Sequence, residues 1–384
     1  MKKKDASKRP LRIAMLGHKR IPSREGGIEV VVGELSTRMA RLGHWVTCYN
    51  RKGHHIGGKE FNQPEIDSYN GVRLRWVFTI NRRGWAAMTA SVSAAIHAAF
   101  GRFDVVHFHA EGPCAMIWLP KLLGKSCVAT IHGLDHMRAK WGLLPRLYIM
   151  IGEKMAVRFA DEIIVLSKDA AEYFRKNYNR DTLLIPNGVN RPVTKRAELI
   201  RDLGLEADGY ILFVGRLVPE KGIDYLIDAY KGLRTDKKLV IVGGSSDTYD
   251  YVLHLRDRVR DEPNILLTGF LQGKILQELY SNAYIYVQPS DLEGMPIALL
   301  EAMSYGNCCI VSDIPECMDV VMEHGVPFEH GNSESLRGRL QELCDDETKV
   351  RRSKEGNSEY ICSRYDWDSI VLQTLDVYRK AMEK

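Results

Sequence analysis

The stretch "GYILFVGRLVPEKGIDYLIDAY" (Gly209–Tyr230) decides how the chain is read. Its first nine residues, 209–217, form a short apolar run that reads as a strand ending in Gly215 and Arg216. Pro219 turns the chain, and Lys221 opens an amphipathic helix. The same strand–turn–helix grammar continues through "KLVIVGG" (238–244), "NILLTGF" (264–270), "YIYVQPS" (284–290) and "CCIVSD" (308–313). It is also written once before, in "LRIAMLG" (11–17), a periodic helix over 25–42, "HWVTCYN" (44–50), "VRLRWVF" (72–78), "DVVHFH" (104–109), "KSCVATIH" (125–132) and "EIIVLS" (162–167), with helical patterns over 145–160 and 167–177. Strands alternating with helices predict βα units and parallel sheets.

Between the two series lies "IPNGVNRPVTKRAEL" (185–199), with two prolines, a glycine and mixed charges; the hinge is placed there. The expected organisation is α/β: a first domain over 1–190, a second over 191–365, and a C-terminal helix over 366–384 that packs toward the first. Two doubly wound domains are expected to face one another across a ligand-binding cleft.

Composition narrows the function classes. The 384 residues are 45% hydrophobic, which supports sizeable cores, and the formal charge of +5 is spread along the chain. A nucleic-acid partner is not expected, because such binders concentrate their cations in a stripe. The eight cysteines form no C-x-x-C pair, so reduced thiols in a cytosol are the simplest reading. The apolar stretch "GWAAMTASVSAAIHAAFG" (84–101) is too short and too polar for a membrane span. Flanked by Arg82, Arg83 and Arg102, it reads either as a helix lying on a bilayer surface or as one buried against a sheet.

The chemistry concentrates in "SDLEGMPIALLEAMSYG" (290–306). Pro296 suits the first turn of a helix, whose free N–H groups and dipole favour an anion such as phosphate. Gly294 lets a ligand approach the backbone. Glu293 precedes that start and Glu301 follows it, so two carboxylates bracket an anion site and can each accept from hydroxyls. A sugar–diphosphate–ribose ligand has this layout. Arg216 and Lys221 add two cations at a strand's C-terminal edge, where they can stabilise a leaving diphosphate. An ordinary turn followed by a surface glutamate is the bland alternative for either carboxylate alone.

Together, "GRLVPEKGIDYLIDAY", "IPNGVN" and the run from "LTGFLQ" to "CCIVSDIP" resemble the donor half of retaining glycosyltransferases of family 4. The resemblance implies the GT-B fold, two Rossmann-like domains, over roughly residues 11–380. It implies that Arg216 and Lys221 clamp the diphosphate and that Glu293 contacts the donor sugar. The backbone of Gly294, Met295, Pro296 and Ile297 then lies near the phosphates or sugar, Glu301 binds the ribose diol, and Phe270 borders the base. In the first half, "IPSREGGIE" places Gly26 and Gly27 at the start of the first long helix, in the loop that touches the donor phosphate in this family. That variant is similar to a bacterial subgroup described as rhamnosyltransferases that build surface polysaccharides. His132 of "ATIHGLD" corresponds to a histidine near the donor sugar, and His109 is a candidate on the acceptor side. A metal reading would recruit His107, His109 and His136, but no carboxylate or cysteine spacing accompanies them.

The expected activity is retaining, metal-independent transfer of a hexosyl group from a nucleotide diphosphate sugar, without a cofactor. The expected acceptor is a saccharide hydroxyl, lipid-linked if the enzyme touches the inner membrane surface. A sugar-phosphate synthase of the same fold and a non-catalytic nucleotide-sugar binding module are the alternatives. A dinucleotide-dependent oxidoreductase is disfavoured because no G-x-G-x-x-G follows the first strand.

Overall fold

A computed structural model describes residues 9–53, 64–82, 84–134, 142–245 and 248–384. The chain forms two compact units, Met1–Asn187 with Trp367–Lys384, and Gly188–Asp366.

The first unit is built on β1 (Arg12–Leu16), α1 (Gly27–Arg41), β2 (Trp45–Arg51), β3 (Ser68–Tyr69), β4 (Val72–Val77), α2 (Trp85–Phe100), β5 (Val105–His109), α3 (Trp118–Leu122), β6 (Ser126–Ile131), α4 (Leu143–Phe159), β7 (Glu162–Val165), α5 (Lys168–Tyr178) and β8 (Leu183–Leu184). The strands lie in the order β3-β4-β2-β1-β5-β6-β7-β8, and all pair in parallel except β3 with β4. The direction of winding changes between β1 and β5, the position where open α/β sheets bind ligands at their C-terminal edge. The central strands are apolar and buried on both faces, as parallel strands covered by helices must be.

The second unit comprises β9 (Tyr210–Val214), α6 (Ile223–Lys231), β10 (Lys238–Val242), α7 (Tyr249–Arg258), β11 (Ile265–Gly269), α8 (Lys274–Ser281), β12 (Ile285–Gln288), α9 (Ile297–Ser304), β13 (Cys308–Ser312), α10 (Pro315–Val321), β14 (Val326–Phe328), α11 (Ser333–Asp345), α12 (Glu347–Lys354) and α13 (Asn357–Arg364). Its six strands are all parallel, in the order β11-β10-β9-β12-β13-β14. Here the winding reverses between β9 and β12, the strands that lead into Arg216 and Glu293.

The last helix, α14 (Trp367–Met382), belongs to the first unit. It packs on α1, β6 and β7. The Tyr378 hydroxyl lies 2.7 Å from Nδ1 of His107. Lys380 and Lys384 pair with the buried Glu162 at 3.1 and 2.8 Å. One face of α2 is buried, with Ala90, Ala94, Ala95 and Ala98 in the core beneath the sheet, while Trp85, Ile96 and Phe100 are exposed. No helix among the described residues is long and apolar enough to cross a membrane.

Candidate active site

In the second unit, the loops after β9 and β12 are drawn together by Gly222. Its φ is +64°, and a Cβ built there would stand 1.8 Å from the carbonyl oxygen of Pro289. Only glycine permits both the left-handed turn and that approach. The chain just before it, Pro219–Lys221, makes one 3₁₀ turn that aims Lys221 at the neighbouring loop. A second close approach holds the base of the site, since a Cβ on Gly243 would lie 1.8 Å from the Gly215 carbonyl oxygen.

The result is a buried ion pair between Lys221 and Glu293, with side-chain exposures of 12% and 7%. The same Oε1 of Glu293 accepts from Gln288 Nε2 and from Ser290 Oγ, each at 2.7 Å. Gln288 is itself fixed, because the Tyr286 hydroxyl donates to its Oε1 at 2.6 Å. Glu293 is therefore pre-oriented by three donors. The sequence reading set Lys221 beside Arg216 as a second cation but joined it to no carboxylate, and it did not foresee Gln288. The signal was present in "VQPSDLEG", where two polar side chains close an otherwise apolar strand.

Beside this pair, α9 begins at Ile297 with no side chain capping it. Pro296 is its N-cap in extended conformation, one position before the first turn in which the sequence reading put it. Its φ of −76° suits either place, and its ψ of 100° keeps it outside the helix. The Leu299 and Leu300 N–H groups donate back to the Pro296 carbonyl oxygen at 3.1 and 3.2 Å, so at this helix start it is the N–H groups of Ile297 and Ala298 that have no intrahelical acceptor. Gly294, Met295 and Pro296 are buried beneath them. One turn on, Glu301 is half-buried and accepts from the Tyr280 hydroxyl at 3.3 Å. Tyr280 stacks on Tyr305, which fixes that donor. Arg216 stands half-buried two residues beyond β9. Phe270 directly follows β11, and β11 lies three strand spacings from β12, about 14 Å. The predicted residues of the second half thus all line one sheet edge.

In the first unit, Gly26 is the N-cap of α1 and Gly27 its first residue, again with no side-chain cap. The buried Glu29 folds back over this start and accepts from the Lys19 N–H at 2.8 Å. A Cβ on Gly26 would meet its Oε2 at 2.6 Å, so the missing side chain makes room for the protein's own carboxylate.

The histidines form a column behind the sheet edge. His109 Nδ1 is 3.1 Å from His132 Nε2, and the His107 and His109 rings are 4.0 Å apart. His107 Nε2 is 2.7 Å from the Thr130 hydroxyl. His132 is partly exposed, whereas His109 is wholly buried. His109 thus lies behind His132 in the column. His136 and Arg83 lie outside the described residues. Among those described, no three His, Cys, Asp or Glu side chains are grouped to hold a metal ion.

Burial, reinforced by repulsion from its histidine neighbours, holds His109 well below its usual value. Burial likewise lowers His107 to about 3 and His18 to about 4. The unfolded chain takes up these protons near 6.5, and the folded chain does so only at about 3–4. Between those values the unfolded state binds more protons, so stability is full above about 6.5 and is lost as pH falls. Melting temperature followed downward through this window is expected to fall, with a shallower slope in His107→Gln. An unchanged slope in that variant would show that the column does not carry the effect.

Residues 25–191 match the family model described as Glycosyltransferase Family 4, and residues 195–359 match Glycosyl transferases group 1. The chain is a family 4-type glycosyltransferase. An uncharacterized glycosyltransferase of Methanocaldococcus jannaschii is 26% identical, covering 97% of this chain and 99% of its own. The UDP-Gal:alpha-D-GlcNAc-diphosphoundecaprenol alpha-1,3-galactosyltransferase of Escherichia coli is 29% identical over 69% of this chain and 74% of its own. Sucrose-phosphate synthase from Thermosynechococcus elongatus superposes with a TM-score of 0.83 at 23% identity, covering 97% of this chain and 99% of that one. This glycosyltransferase therefore has the GT-B fold, two Rossmann-like parallel sheets covered by helices.

Proposed function

We propose that this glycosyltransferase moves a hexosyl group, with retention, from a nucleotide diphosphate sugar to a hydroxyl of a lipid-linked saccharide in cell-surface polysaccharide synthesis. The observation that carries the donor half is the Lys221–Glu293 pair beside the uncapped start of α9. It sets a cation and an anion in contact, and a glycosyl phosphate needs both at its junction. Phosphate oxygens accept from Lys221 and the α9 N–H groups, and sugar hydroxyls donate to Glu293. Glu301 takes the ribose diol, Phe270 borders the base, and Arg216 adds the second cation.

In the transfer, the acceptor oxygen bonds to the anomeric carbon on the face from which the diphosphate departs. The bond from that carbon to the phosphate oxygen breaks, and the departing oxygen takes the acceptor's proton. Arg216, Lys221 and the helix dipole stabilise the released charge, so neither a divalent metal nor a cofactor is required. Gly26, Gly27 and His132 belong to the acceptor-side unit, with His109 holding His132. The diphosphoundecaprenol-linked acceptor of the Escherichia coli relative, at 29% identity, supports the lipid-linked reading.

The test is a thermal-shift screen of nucleotide sugars followed by transfer to a diphosphoprenyl-linked saccharide and anomeric analysis of the product. A ligand that binds only the folded state raises the melting temperature by mass action. One nucleotide sugar is expected to stabilise the protein and to yield an α-configured product from an α-donor. Inversion would remove the front-face step, and transfer to a sugar phosphate instead would replace the acceptor.

A further inference from the structure

We infer that the outer face of α4 docks on an anionic lipid surface and so presents the first unit to a membrane-borne acceptor; this deepens the lipid-linked reading above and rests on it. Leu143, Leu144 and Leu147 are 85%, 78% and 54% exposed, and Met150 and Ile151 are 39% and 43% exposed. Apolar side chains of this size normally turn inward, yet α4 buries only its opposite face, through Ile149, Gly152, Glu153 and Ala156. That inner face is seated hard against the chain after β5, where a Cβ on Gly152 would stand 2.0 Å from the Glu111 carbonyl oxygen. The helix cannot roll to hide its leucines.

The charges on the outward face select the occupant. Arg146, Lys154 and Arg158 are exposed, and the helix's only acid, Glu153, is buried. A face made of apolar and cationic side chains alone matches the boundary between headgroups and acyl chains of an anionic bilayer, into which such helices sink roughly 5–10 Å. A second copy is a poor occupant, because an isologous contact would set these cations against their own kind.

A separate apolar group supports the same orientation. Phe78 and Trp85, 66% and 55% exposed, flank the exposed Arg82 beyond the end of β4. α2 and α4 both pack on the 3₁₀ turn Gly112–Met116, which places them on one face of the sheet. Both helices start at the sheet's C-terminal edge, where β6 leads into His132. β4 and β6 are four strand spacings apart, about 19 Å, so the two apolar groups bracket that edge as two footholds.

The experiment is sedimentation of the full chain with phosphatidylcholine vesicles, with and without phosphatidylglycerol. The wild type is expected to pellet with the anionic vesicles and to lose binding as salt rises. Leu143→Asp with Leu147→Asp is expected to weaken binding by about tenfold or more. Arg146→Glu with Lys154→Glu is expected to weaken it by at least about fivefold per charge. All four positions are exposed, so thermal stability and the shift given by a nucleotide sugar should match the wild type. Indifference of the wild type to phosphatidylglycerol vesicles, unchanged binding in the aspartate pair, or a wild-type dimer that this pair splits would each overturn the inference. Vesicle binding through α4 in a protein that no nucleotide sugar stabilises would uphold the surface and sink the transferase reading instead.

Discussion

Lys221→Ala is expected to lower kcat by about 10²–10³-fold, the usual cost of removing one fixed group that stabilises developing charge. The structure adds a second effect. Lys221 is the ionic partner of Glu293, and the alanine takes the cation away from a buried carboxylate that still accepts from Gln288 and Ser290. Losing one member of a buried pair is destabilising, so the melting temperature should drop by a few degrees with the protein still folded. Glu293→Gln keeps a side-chain oxygen for Gln288 and Ser290 but strands the lysine charge, and it is expected to cost turnover on a similar scale. Because the two act as one unit, the double variant should be little worse than either single one. Steady-state kinetics on the three variants checks this. Additive losses would mean that lysine and glutamate serve separate steps, and wild-type turnover in either single variant would remove the proposed site.

Gly222→Ala is expected to do comparable damage without touching a charged group. The methyl group would have to occupy space 1.8 Å from the Pro289 carbonyl oxygen and 2.9 Å from the Tyr225 ring, at a φ of +64°. Left-handed backbone alone costs an alanine about 1–3 kcal/mol. Relieving the carbonyl contact moves the β9 and β12 loops apart, for a total of roughly 2–4 kcal/mol. At about 2–4 °C per kcal/mol in a unit of this size, the melting temperature should fall by roughly 5–15 °C. Turnover should fall because Lys221 is carried away from Glu293. A stable, fully active Gly222→Ala protein would show that the close packing of these loops has no part in positioning the pair.

Much of this architecture was legible because parallel strands buried on both faces read as short apolar runs, as Tyr210–Val214 and Ile285–Gln288 do. The edges were not. β14 contains Pro327, which cannot donate to a ladder and so hides an edge strand. β3 and β8 are two residues each, too short for any period. α12 is marked by charge rather than by an apolar stripe, with Val350 its one buried residue. In the site, the spacing from Glu293 through Pro296 to Glu301 is what suggested an anion site between two carboxylates. The joining of Lys221 to Glu293 spans 72 positions, and no local pattern carries it. Alternation placed His107 and His109 on one face of β5. That this face turns inward depends on α14, which lies 271 residues further along at Tyr378.

The membership of α14 in the first unit has a consequence for how the molecule is made. The residue that meets His107 and the lysines that neutralise Glu162 leave the ribosome after every strand of the second sheet. A nascent chain ending near Asn187 therefore holds all eight strands of the sheet but lacks the helix that packs on β6 and β7 beside α1, and it must wait through 179 residues of synthesis, Gly188–Asp366, for that helix. The second unit, contiguous in sequence, can finish first, so the order of maturation runs opposite to the order of translation.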